Sequence, residues 1–392
     1  MNTGNIKQVQ DIYESTTDFH ALIDSVTYND NWDTIVDGKT MYFWFENEKQ
    51  IRTKYGVLSD VAEKQLAEKI QMPFRYFQKM KTENPSLFLQ SLNSWAKNFP
   101  MGLGNKQYLV RSVITRYPNS IYTSNEVRAI LSNRYRRIDN REVIYYMLPI
   151  LIANGYEIKS AKMTNDELYI KAVDPKAEID ISKYKQDDLI QAGISISNNE
   201  LGLGGLTITP FVYRLVCTNG MMLPEMLASF NQVHLGKPMG TTDVDRTLES
   251  FYDNNELFTK VGLFIEEEQI KSKAKLTKIK EVFADAKEKY ITGPTYNQSL
   301  QDVLNKLNTL ESSVSLTDDE RIGIEQHTEY ENIRQMEGHD TDYYNMFELV
   351  NGITSYAGSI SDYSRSTELE KYAGKVLHLP TSAIEHKVLY NS

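Results

Sequence analysis

The chain carries a single cysteine, Cys217. One thiol excludes an internal disulfide and any zinc site built from several thiolates. Cys217 has no histidine in its motif, so it reads as a small buried apolar residue rather than a nucleophile. Long hydrophobic runs are missing too, and none approaches the length of a membrane span. The start of the chain, MNTGNIKQVQDIYE, lacks the basic end and apolar centre of a secretory signal. These absences together predict a protein of a reducing cytoplasm with no membrane partner. Catalytic signatures are equally scarce. Gly202, Gly204 and Gly205 lack the lysine and Ser/Thr of a phosphate loop and the spacing of a dinucleotide fingerprint. No serine stands in a nucleophile elbow. His20, His234, His327, His339, His378 and His386 are scattered, and His339-Asp340-Thr341-Asp342 reads as a solvated acidic loop rather than a set of metal ligands. Asp243 and Asp245 form a lone DxD, too common to imply nuclease chemistry. No catalytic residue, metal or cofactor is expected.

What is present is the material of a globular protein. Apolar residues make up 41% and charged residues 24% of the 392 positions, enough for a substantial core and two or three domains. The net charge of -10 argues against a simple nucleic-acid coat protein, but the charge is unevenly spread. Lys106 to Arg141 holds eight cations against two acids, a local +6, whereas Glu311 to Glu348 holds eleven acids against two arginines, a local -9. Tyrosine, at 25 against 14 phenylalanines, supplies flat faces with polar tips, suited to wet interfaces and to base stacking. Half-exposed strand positions account for tyrosines equally well.

The hydrophobic pattern predicts an α+β fold: a mixed or antiparallel β core with packed helices and a mostly helical C-terminal third. Three units are expected, 1–100, 101–247 and 248–392. In the first, Lys39 to Glu46 has strand-type residues, and Ser59 caps a helix carrying Ala62, Leu66, Ala67 and Ile70 on one face. Met72-Pro73 breaks it, and Phe74, Tyr76, Phe77 and Met80 continue as another. In the second, Gln107 to Thr115 reads as a strand, with a shorter one possible at Ile121-Tyr122. Thr123 and Ser124 are candidate helix caps. Asp139-Asn140 caps a helix through Leu151 that Gly155 ends. Tyr156 to Lys162 and Glu167 to Val173 form a hairpin. Ile194, Ile196, Leu206 and Ile208 mark two half-buried strands around the glycines, with Pro210 ending the second. In the third unit, helical spacing recurs from Thr247 to Phe283, at Leu300 to Leu310, at Tyr343 to Tyr356 and across Thr367 to Tyr372.

The strongest chemical signal is arginine interleaved with tyrosine. Arg134, Arg136 and Arg137 bracket Tyr135, Arg141 follows, and Arg111 and Arg116 stand on the preceding strand. Guanidinium groups grip phosphates in bidentate fashion, and an aromatic face stacks bases without regard to sequence. An extended 134–136 segment puts both flanking cations on one face. The competing reading is a network of salt bridges to the protein's own carboxylates. Arg214, in an apolar strand, reads as paired and structural.

Three stretches resemble the phage- and plasmid-borne family catalogued as domain of unknown function 932. They are Ser132 to Arg141 (SNRYRRIDNR), Ser197-Asn198-Asn199-Glu200 with Gly202 followed by Pro210 to Met221, and Asn345 to Leu377. The resemblance spans roughly Tyr108 to Leu377. In general plan that family is similar to phage annealing proteins of the RecT and Red-beta type, which form rings or filaments. The resemblance implies a phage or plasmid accessory protein that binds single-stranded nucleic acid in replication or recombination, without covalent catalysis, as a homo-oligomer. The residues expected to carry it are Arg111, Arg116, Arg134, Arg136, Arg137 and Arg141 for phosphates, with Tyr135 stacking. Two alternatives are an oligomeric protein-interaction or counter-defence module that binds no nucleic acid, and a metal-dependent nuclease.

Overall fold

The computed structural model describes residues 29–380 and 384, apart from 48–49, 99–102, 105, 117–122, 165–166, 182–188, 215–218, 223–228, 236–242, 293–297 and 330–342. Cys217, His20, His339 and His386 lie outside the described residues, as do Ile121-Tyr122.

A six-stranded sheet opens the fold. Its strands are β1 (Asn29–Asp37), β2 (Trp44–Phe45), β3 (Ile51–Thr53), β4 (Gly56–Leu58), β5 (Gln107–Arg116) and β6 (Thr123–Ser132), in the spatial order β1-β5-β6-β4-β3-β2. Neighbours run antiparallel except β4 with β6. Because β5 and β6 lie beyond residue 100, this sheet draws on both sides of the boundary expected there. Helices α1 (Asp60–Lys69), α2 (Phe74–Glu83) and α3 (Pro85–Asn98) bury Ala62, Leu66, Phe77, Phe88 and Leu92 against Tyr108, Val110, Val127 and Ile130. The Ser59 hydroxyl caps α1 by accepting from the Ala62 N–H at 3.1 Å. Residues 123–132, where Thr123 and Ser124 suggest helix caps, are a strand instead. Pairing with β5 along the whole length outweighs the local cap signal. The pairing contains a bulge: Arg111 faces Ala129 and Ser112 faces Val127, which leaves Arg128 as the extra residue.

The second sheet is wholly antiparallel. It comprises β7 (Glu157–Met163), β8 (Glu167–Asp180), β9 (Leu189–Asn199), β10 (Leu206–Arg214) and β11 (Asn219–Met222), in the order β11-β10-β9-β8-β7, with β12 (Phe230–Gln232) also on β10. Pro210 does not end its strand. β12 pairs with residues 206–208 and β11 with 211–214, so the proline occupies the gap between two partners on that side. There its missing N–H breaks no ladder bond.

Helix α4 (Asn140–Ala153) and the first half of α5 (Asp243–Glu288) cover one face of this sheet. Val143, Met147 and Leu151 of α4 and Leu257, Phe258 and Val261 of α5 meet Leu168, Ile170, Ile194, Ile196, Leu206 and Ile208. The period seen in sequence from Thr247 to Phe283 is one helix of 46 residues. Its second half joins α6 (Leu300–Leu310), α7 (Asp318–His327), α8 (Met346–Ser359) and α9 (Tyr363–Leu377) around a third core. A short pair, β13 (Tyr290–Thr292) with β14 (Tyr344–Asn345), closes it. The architecture is α+β. No helix among the described residues is long and apolar enough to cross a membrane.

Candidate functional site

Residues 132–142 run from the end of β6 to the first turn of α4. Tyr135 forms an isolated bridge with Leu235, and Asp139 caps α4 in a reciprocal box with Glu142. Behind this segment lies a buried charge cluster where the two sheets meet. The Arg111 guanidinium, 2% exposed, donates to Asp33 Oδ1 at 3.1 Å, to Asp139 Oδ1 at 2.5 Å and to the Glu200 carbonyl at 2.7 Å. Arg137 reaches the other oxygen of Asp33 at 3.3 Å. The bulge turns Arg128 onto Glu200, 2.5 Å away. The second Glu200 oxygen accepts from the Asn140 N–H at 2.9 Å.

A neutral network continues from the charged one. Asn198 donates to the Ile138 carbonyl at 2.9 Å and to Asn140 Oδ1 at 2.8 Å. His234 lies between Asn198 Oδ1, at 3.1 Å, and the Arg136 carbonyl, at 3.0 Å. Its ring stacks on Tyr135 with centroids 5.0 Å apart and planes 4° from parallel. Asn254 of α5 donates to the Arg137 carbonyl and to Glu142, and its oxygen faces the Arg136 guanidinium. Gln65 of α1 donates to the Leu201 carbonyl at 2.7 Å and accepts from the Ile130 N–H at 2.8 Å.

Electrostatics follow from the burial. Burial opposes the charge of Arg111, but Asp139, Asp33 and Glu200 more than offset it and hold its pKa well above the usual value. Burial alone raises Asp139, and the charges of Arg111 and Arg137 outweigh it, keeping that carboxyl low. At Glu142 the same two arginines act too weakly to offset burial. Burial, then repulsion from Asp139, pushes it up to about 7. Burial takes His234 down to about 4 and sends the Tyr135 phenol far above its ordinary range.

The expected site residues therefore divide. Arg111 and Tyr135 are interior, at 2% and 5% exposure, and neither reaches a phosphate or a base in this arrangement. The reason is two carboxylates and a backbone carbonyl for Arg111 and the His234 ring for Tyr135. Arg136 and Arg137 are half-buried, while Arg134 and Arg141 are exposed. Arg134 stands in a turn, so it and Arg136 are not on one extended strand face. Arg116 ends β5, and its side chain lies outside the described residues. Arg214 is buried with its guanidinium 5.1 Å above the Phe347 ring. One surface aromatic was missed. Tyr145, 45% exposed, follows Arg141 by one helical turn. The i,i+4 spacing within the helix called from Asp139 was the available signal. Among the described residues no three His, Cys, Asp or Glu side chains gather as a metal site.

Much of this junction is built from Ser132–Arg141 and Ser197–Glu200, and both stretches lie within the segment that matches a known family. The family described as domain of unknown function (DUF932) matches residues 128–368, more than half of the chain, and the chain belongs to it. No curated protein and no solved structure matches.

Proposed function

We propose that the protein binds single-stranded nucleic acid non-covalently, as a cytoplasmic phage or plasmid accessory protein in replication or recombination. The observation supporting this most directly is the exposure of Arg134 and Arg141 on either side of a segment fixed from behind by buried charges. Half-exposed Arg136 and Arg137 lie between them, and Tyr145 offers a ring face one turn beyond Arg141. Phosphates lie along the arginines and bases are left free to pair, so positioning does the work. The buried cluster keeps the ledge in register through Arg137, which is paired with Asp33, and its interior members Arg111 and Glu200 are not contacts. Copies assemble head to tail along the strand, the basic ledge of one facing exposed Asp318 and Asp319 of the next.

The test is fluorescence anisotropy with labelled single and double strands over a salt series, on wild type and on Arg134→Ala with Arg141→Ala. Wild-type affinity is expected to fall steeply with salt. The double variant is expected to bind more weakly, with a slope shallower by roughly 1–2, since each phosphate contact contributes about 0.7 for single strands. Absence of binding even at low salt sinks the proposal. A second reading, a protein-interaction module, is favoured by Leu203, Val233 and Leu235, at 51%, 65% and 58% exposure around the β9–β10 turn. Leu235→Ser reducing self-association with no strand binding in any form selects that reading.

A further inference from the structure

Helix α5 turns one face to two cores and the opposite face to solvent. Val261, Ile265, Leu276 and Ile279 are buried, whereas Leu263 and Ile270 are 61% and 83% exposed. Among the described residues no large apolar side chain is more exposed than Ile270. The two stand seven positions apart, two turns of one helix, and exposed Ala274 and Thr277 continue the stripe. At 1.5 Å per residue, it runs for roughly 21 Å from Leu263 to Thr277. The exposed charges beside it change sign along its length. Glu256, Lys260, Glu266 and Glu267 give a local -2 before Ile270, and Lys271, Lys273, Lys278 and Glu281 a local +2 after it. Glu256 pairs with Lys260 and Glu267 with Lys271 within the helix. Solvent-exposed pairs of this kind hold little energy, so they do not tie up the charges they join.

We infer that this face pairs antiparallel with the same face of a second copy of the chain, about a two-fold axis beside Ile270. That symmetry buries Ile270 against its own counterpart and sets Leu263 opposite Thr277. It lays the -2 half of each helix along the +2 half of the other, with Glu267 facing Lys273. A parallel pair stacks like charge on like. A partner of uniform charge, such as a nucleic-acid strand or an anionic membrane, matches only one half of the stripe. The contact is isologous, so it differs from the head-to-tail contact of the arginine ledge with Asp318 and Asp319. It needs no nucleic acid. Its short length places it among weak, transient interfaces.

Sedimentation equilibrium of the full-length protein without nucleic acid, up to about 100 μM, tests this. Wild type is expected to dimerise, and to do so more weakly as salt rises. Ile270→Glu is expected to weaken the dimer at least about a hundredfold, because two buried isoleucines become two apposed carboxylates. Glu266→Lys with Glu267→Lys makes both halves of the stripe basic, and Lys273→Glu with Lys278→Glu makes both acidic. Each double variant alone is expected to be monomeric, and an equimolar mixture of the two to dimerise again. All the substituted side chains are exposed, and circular dichroism checks that the variants fold. Recovery in the mixture is a result that misfolding does not produce. A monomer at every concentration overturns the inference, as does a dimer that tightens with salt or a mixture that stays monomeric. Self-association kept in Ile270→Glu but lost in Arg134→Ala with Arg141→Ala, or in Leu235→Ser, belongs to another surface and overturns it too.

Discussion

The Arg111 guanidinium and the Glu200 carbonyl meet at 2.7 Å, and that bond ties the first sheet to the turn between β9 and β10. Around it, Arg111, Arg128 and Arg137 are matched by Asp33, Asp139 and Glu200, three cations against three carboxylates. The cluster is neutral in sum, which is the condition under which so much charge is tolerated away from water.

Arg111→Met is expected to destabilise the protein by about 3–5 kcal/mol, because Asp33 and Asp139 lose a shared counter-ion while still buried. Urea denaturation measures it. Arg111→Lys recovers only part of the loss, since a point charge on a flexible stem does not span three acceptors as a planar fork does. A loss below about 1 kcal/mol for Arg111→Met contradicts this account of the junction.

On the other face of the second sheet, Lys171 donates to both oxygens of Glu370, at 2.6 and 2.7 Å, beneath the Tyr363 ring. Burial already raises the Glu370 pKa. Lys171→Met is expected to cost about 3–5 kcal/mol, and adding Glu370→Leu to restore most of it, since the pair is costly to break and cheap to replace whole. A double-mutant cycle checks the coupling.

Glu142 sets a pH dependence of known sign. Its folded pKa is about 7 against an ordinary 4.5, so the fold holds a proton that the unfolded chain releases. Its contribution is fully present below pH 4.5 and is lost as pH rises through 7. His234, held near 4 rather than 6.5, works oppositely, its contribution falling as pH drops from 6.5 to 4. Glu142→Gln keeps an acceptor for Asn254 and removes the titration. The variant is expected to match wild type near pH 4 and to exceed it at pH 8 by roughly 1–3 kcal/mol. Thermal melts across that range decide it, and equal stability at pH 8 refutes the assignment.

Gly202 has φ of +79°, and a Cβ built there falls 2.5 Å from Leu131 Cδ2. Gly202→Ala is expected to cost about 1–3 kcal/mol through backbone strain and displacement of that leucine. Gly204→Ala, where the nearest atom is Asn199 Cβ at 3.3 Å, costs less. Chemical denaturation of the two variants side by side gives the comparison.

Signals that act within a few residues were readable. The Asp139–Glu142 cap and Gly155, at φ +75°, bracket α4 closely, and Ser59 starts α1. What escaped depends on distant partners. Two of the Arg111 acceptors, on Asp33 and Glu200, are 78 and 89 positions away and outside the counted stretch, so a local count of +6 included charges that the fold neutralises from elsewhere. Tyr135 and Tyr145 look alike in sequence, yet a histidine 99 positions on covers the first while the second faces solvent. Pro210 stays in its strand because of where two other strands stop, which no window around the proline contains.

Helix α5 gives Leu257, Phe258, Val261 and Ile265 to one core and Leu276, Ile279, Phe283 and Ala286 to the next. A continuous rod shared in this way leaves neither neighbour able to melt without stripping the other of a wall. Cleavage anywhere between Ile265 and Leu276 should therefore loosen both cores at once, and expression of either portion alone should yield aggregates rather than a usable fragment.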